Sequence, residues 1–144
     1  MRQSHTIATF MIILSFALYS VIPVFAEESP EGWERLSDMP EVRSEMESVA
    51  IDEKIYAIGG LNNREQATNT VFIFDTKDDS WHTGTPMPVS LHHAGAATHE
   101  NKIYVVGGYR DGWIPTNSLL IYDLEIDAWS KGQDMPTPRG ALVK

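Results

Sequence analysis

The chain has 144 residues, a formal net charge of −9 and no cysteine. An acidic chain without a basic cluster argues against nucleic acid or an anionic membrane surface as partner. No disulfide can staple it, so any stable fold must come from its apolar strands.

Residues 1–26 differ in kind from the rest. Arg2 is the only formally charged side chain there. An apolar run from Ile7 to Ile22 ends at Pro23, and Val24-Phe25-Ala26 places small residues at the −3 and −1 positions. This pattern predicts a secretory signal peptide, cleaved after Ala26. The run is nearly long enough to span a bilayer, so an uncleaved anchor stands as the alternative. Either way the remainder is expected outside the cytoplasm, periplasmic or secreted. The absence of Cys and of any Asn-x-Ser/Thr sequon leans toward a bacterial export route.

Beyond the leader, a step of 48 residues governs the chain. Lys54-Ile55-Tyr56-Ala57-Ile58-Gly59-Gly60 returns as Lys102-Ile103-Tyr104-Val105-Val106-Gly107-Gly108. Trp33, Trp81 and Trp129 keep the step, as do Met39-Pro40, Met87-Pro88 and Met135-Pro136. So do the pairs Asn69 and Asn117, Asp75 and Asp123, and Asp79 and Asp127. Fixed-period self-similarity marks a repeat architecture. Each unit holds short β-rich runs: 47–51, 54–58, 71–74 and a run around Trp81, then 95–98, 103–106, 119–122 and a run around Trp129. No helical period is present, so the fold class is all-β. The second and third strands are apolar throughout, which predicts burial on both faces. Small antiparallel sheets sandwiched between like sheets describe propeller blades.

Ile-Tyr-x-x-Gly-Gly, then Phe/Tyr-Asp, then Trp, then Met-Pro, repeated in phase over 33–144, resembles the kelch repeat. The resemblance implies a kelch-type β-propeller. The predicted division is a signal peptide over 1–26 and a partial propeller over 27–144. Within it, 33–40 is an outer strand of a ring-closing blade, 41–88 and 89–136 are complete blades, and 137–144 starts another. A blade cannot bury its faces alone, so the remaining blades are expected from a longer chain or from other copies. Residues 27–144 are not expected to be a stable monomer.

Recurring residues are expected to be structural. The pairs Gly59-Gly60 and Gly107-Gly108 end strands where positive φ and close approach are needed. They lack the strand–turn–helix setting of a phosphate cradle. Tyr56, Tyr104, Trp81 and Trp129 serve packing. Asp75, Asp79, Asp123 and Asp127 are read as turn residues bonding local backbone. Residues that break the repeat are the candidates for binding. The approach to strand one and the loop from strand two to strand three share one side of the ring. They carry Arg43, Arg64, His92, His93, Tyr109, Arg110, Trp113 and Arg139, chemistry suited to carboxylate-bearing, sugar-like or protein ligands. Neighbouring strand residues point to opposite faces, so His92 is not expected to share a metal with His93; one lines the funnel and the other packs. No metal or cofactor site is expected.

The resulting expectation is an exported, non-catalytic scaffold that binds a protein or carbohydrate. The kelch resemblance leaves a sugar-active alternative, such as a sialic-acid epimerase or mutarotase-like propeller. A copper oxidase resembling galactose oxidase is disfavoured, because its cross-linked Tyr–Cys cofactor needs a cysteine.

Overall fold

The computed structural model describes residues 32–141. The leader, with its signal-or-anchor reading, lies outside them. Residues 32–34 belong to the N-terminal unit, Met1–Glu34, and the fold below is that of the second unit, Arg35–Lys144.

No helix occurs among the described residues. The first sheet contains β1 (Glu47–Ile51), β2 (Lys54–Ile58), β3 (Val71–Asp75) and β4 (Ser80–Gly84), hydrogen-bonded in sequence order. In the second repeat, β5 (Gly95–His99) and β6 (Lys102–Val106) form a hairpin. A two-residue ribbon follows, β7 (Tyr109–Arg110) with β8 (Ile114–Pro115). Then β9 (Leu119–Asp123) and β10 (Ala128–Lys131) complete a second antiparallel sheet, ordered β10-β9-β6-β5. The ribbon was not legible as strand. Its two pairs, Tyr109 with Pro115 and Arg110 with Ile114, are too short to show a period.

The register explains the apolar strands. Tyr56, Ile58, Val71 and Ile73 lie on one face of the first sheet and meet Ile103, Val105, Leu120 and Tyr122 of the second. Met87, Leu91 and Ala94, from the link between the sheets, fill the same core. Val71 and Ile103 are fully buried, each stabilising the packing by about 1.5–3 kcal/mol. On the other face of the first sheet Ala57, Phe72 and Phe74 are also buried. The expected two-sided burial therefore holds at the centre of the first sheet. It does not hold in the second, where β6 and β9 alternate buried and half-buried residues. Tyr104, Val106, Leu119 and Ile121 sit one step of 48 from the Tyr56 face, but no third sheet lies against them among the described residues.

The recurring polar residues are clasps. Trp81 Nε1 donates to Ser37 O and Trp129 Nε1 to Thr85 O, each at 2.9 Å. Asn69 Nδ2 donates to Met87 O and Asn117 Nδ2 to Met135 O, pinning each Met-Pro. The aspartates divide into two kinds. Asp75 and Asp123 accept the backbone N–H two residues on, as turn residues do. Asp79 and Asp127 do not act only locally, which corrects the turn reading. Asp79 accepts Ser37 N, and Asp127 accepts Thr85 Oγ1, each 42 residues away. A carboxylate at left-handed backbone (φ 51° in both) is thereby aimed at the segment that precedes its own blade.

Candidate functional site

The approach to strand one and the loop after strand two do share a rim. Ser44 bridges Leu61, and 48 residues later His92 bridges Tyr109. Leu61 also bridges Ala67, as Tyr109 pairs with Pro115. Even the left-handed residues recur: Glu45 with His93 (φ 51° and 50°), and Glu65 with Trp113 (φ 57° and 59°). The backbone frame is common to both blades, so its strain reports the repeat. Only the side chains set on it differ.

The second blade builds an aromatic cluster on this frame. His92, His93, Tyr109 and Trp113 pack with every ring centroid 4.9–6.1 Å from the others. His92 is buried, at 2 % exposure, while Trp113 is 59 % exposed and forms the outer surface of the cluster. The two histidine rings do not point to opposite faces as expected. His93 takes φ 50°, which turns the backbone and brings its Nδ1 to 2.7 Å from Nδ1 of His92. His93 Nε2 lies 2.9 Å from Glu45 Oε2, so the cluster is fastened to the first blade. A second strut runs from Ala67 N to Asp111 Oδ1 at 2.7 Å, joining the two loops. Between them lies a cavity of about 310 Å³ lined by Glu45, Glu65, His92, His93, Asp111 and Trp113.

Burial holds the His92 ring toward its neutral form, and the adjacent His93 adds to this; the Arg110 carbonyl, Asp111 and Glu45 pull the other way. A buried imidazole loses more hydration on charging than these partners restore.

The other candidates fall elsewhere. The Arg43 side chain is buried, with its guanidinium 5.5 Å over the Phe72 ring and 2.9 Å from Glu41. It acts there as packing. Arg64 lines a separate cavity with Pro40, Glu41 and Val42. Arg110 is exposed beside the cluster. Arg139 binds through its backbone, accepting from Gly108 N and donating to Thr116 O. The link that sequence reasoning missed is Glu45. It stands on the same rim, and the left-handed turn at His93 makes it a partner. Among the described residues no group of three or more His, Cys, Asp or Glu is placed to hold a metal ion.

Twisted four-stranded antiparallel sheets, packed face to face on a fixed period and carrying variable loops on one rim, define a β-propeller scaffold. The particular family follows from comparison: the KLHDC2/KLHL20/DRC7 Kelch-repeats domain matches residues 26–142, and the chain belongs to the kelch-repeat family. No curated protein sequence matches it. Its fold is similar to the solved structure of YjhT, with a TM-score of 0.65 and 22 % identity. The match covers 72 % of this chain and 42 % of that one, so the chain spans less than half of that propeller.

Proposed function

We propose that this chain belongs to an exported kelch propeller that binds a protein partner through the rim carrying Trp113. Kelch propellers generally mediate protein interactions, and the family supports a scaffold or binding role. The observation that carries the reading is the His92–His93–Tyr109–Trp113 cluster. It stands on a backbone frame the two blades share, yet the first blade places Ser44, Glu45, Leu61 and Glu65 at the same positions. Common packing therefore does not require it. A rigid aromatic patch with Arg110 at its edge is hot-spot chemistry. Export rests on the pattern of residues 1–26, and N-terminal sequencing of the protein recovered from outside the cytoplasm tests it.

Peptide display against the intact protein tests the binding surface, with a glycan array beside it. Selected peptides are expected to lose about 30-fold or more in affinity on Trp113→Ala, and to be indifferent to Lys77→Ala on the opposite rim. Binders that ignore Trp113→Ala and Arg110→Ala, or a response from glycans alone, would sink the protein-partner reading.

A further inference from the structure

A cavity of about 770 Å³ lies between the two blades at the rim opposite Trp113, in the size range of small-molecule pockets. The β1–β2 turn, the strand ends beside it, the stretch 83–86 and residues from β9 to Asp127 wall it. Ile51, Ile73 and Leu124, each half-buried, give it an apolar side. Its polar groups divide into spent and unspent. Tyr122 and Thr85 both donate to Asp127, and Lys77 Nζ pairs with Glu53 at 2.9 Å. Four others have no side-chain partner among the described residues. Tyr56 is 4 % exposed and its ring belongs to the core, yet nothing accepts from its hydroxyl. Asp52 and Lys54 form no ion pair, and Asp75 accepts only the backbone N–H of Lys77. Lys54 and Asp75 stand opposite each other in the register of β2 and β3. Forty-eight residues on, the same pair, Lys102 and Asp123, is closed as an ion pair. The strand frame is common to both blades, so the open pair belongs to this cavity.

We propose that this cavity binds a small zwitterion of the amino-acid class, its ammonium on Asp52 and Asp75, its carboxylate on Lys54 and the Tyr56 hydroxyl, and its aliphatic side chain against Ile73 and Leu124. The chemistry of the wall selects that class. Two carboxylates without side-chain partners call for an N–H cation. An ammonium and a phenol O–H, which donate, call for an anionic acceptor. Burial, then Asp52 and Asp127, push the Tyr56 phenol up, so it remains an O–H donor at neutral pH. The apolar side gains from covering an aliphatic group. A neutral sugar brings hydroxyls alone and leaves both signs of charge uncompensated. A lone metal cation leaves Lys54 and the hydroxyl unmatched. The ligand therefore stands in for the ion pair that the second blade closes by itself. This site is on the other rim from the partner surface assigned above, and neither reading rests on the other.

The test titrates the intact chain with free leucine, N-acetyl-leucine, leucinamide and methyl glucoside, read by calorimetry and by amide chemical shifts. Leucine is expected to saturate with a Kd of about 1 mM or tighter, and to move the amides of Asp52, Lys54 and Asp75. N-acetyl-leucine lacks the ammonium and leucinamide lacks the carboxylate. Each is expected to bind about 10-fold more weakly, having lost a charged hydrogen bond. Lys54→Gln should cost leucine a similar factor, and Tyr56→Phe about 5-fold. Lys54 is exposed, and Phe keeps the buried ring at position 56, so both variants retain the fold. Should either not fold, the capped ligands decide on the parent protein. Lys102→Gln opens the ion pair of the second blade, away from the cavity, and should leave leucine binding unchanged. No saturation by leucine at about 10 mM, equal binding of the capped forms, or indifference to Lys54→Gln overturns the assignment. Saturation by methyl glucoside without leucine binding overturns it in favour of a sugar site.

Discussion

Replacing Gly60 by Ala perturbs the crossing on which the rim is built. Gly60 sits at φ +87°, and a Cβ there would lie 2.5 Å from Ser44 O and 2.8 Å from Met46 Cβ. The first of these is backbone and cannot rotate away. Gly60 N also donates to Leu91 O at 2.8 Å, so any shift is passed to the second blade. Left-handed backbone alone costs Ala about 1–2 kcal/mol. The overlap adds a similar amount or more, giving roughly 3 kcal/mol in all. Gly112 supplies the control within the same molecule: its φ is +76°, but nothing lies within 4 Å of its Cβ position. Gly112→Ala should cost only the backbone term, about 1 kcal/mol. Urea unfolding followed by tryptophan fluorescence, at one protein concentration, reads both. With a slope of about 2 kcal/mol per molar, the midpoint should fall by about 1.5 M for Gly60→Ala and about 0.5 M for Gly112→Ala. Equal shifts would refute the claim that close approach, rather than φ, holds this position as glycine.

Three further outcomes follow from the clasps and the buried cation. Trp129→Phe keeps the ring but loses the bond to Thr85 O, and Trp81→Phe loses the bond to Ser37 O; each should cost about 1 kcal/mol in the same unfolding assay. The Asp127 carboxyl is held below its ordinary 3.8 by the hydrogen bond from Tyr122 and then by that from Thr85. The folded state therefore resists its protonation. Its contribution is complete above pH 3.8 and is lost as pH falls through the lower folded value, so acid titration of stability should be shallower in Tyr122→Phe than in the parent. Arg43 buries an Nη1 with no hydrogen-bond partner, so Arg43→Met, which retains the stem over Phe72, should be neutral or stabilising by up to about 1 kcal/mol. A loss larger than that in thermal unfolding would show the guanidinium is needed.

Much of the fold was legible because the repeat printed it twice. The strand runs 47–51 and 54–58 coincide with β1 and β2, since one apolar pattern recurring at 48 residues fixes both register and face. The side sharing of strand-one approaches and second loops was also legible, because antiparallel order dictates it. The site was harder. That His92 and His93 meet depends on φ at His93, a backbone choice that no side-chain pattern announces. Arg43 aligns at the period with Leu91, a buried core position, yet was read by charge. The alignment itself held the clue: a cation standing where its repeat partner is apolar is a candidate for packing through its stem.

The seven-residue segments Leu61–Ala67 and Tyr109–Pro115 are closed by corresponding antiparallel pairs and hang from corresponding neighbours. They are cassettes in matching sockets. One can be spliced into the place of the other with the flanking bonds Thr68 N to Gly60 O and Thr116 N to Gly108 O unchanged, while Pro in place of Ala67 gives up the N–H donated to Asp111. Diversity on this rim can therefore arise by exchange between blades, while the sheets beneath stay as they are.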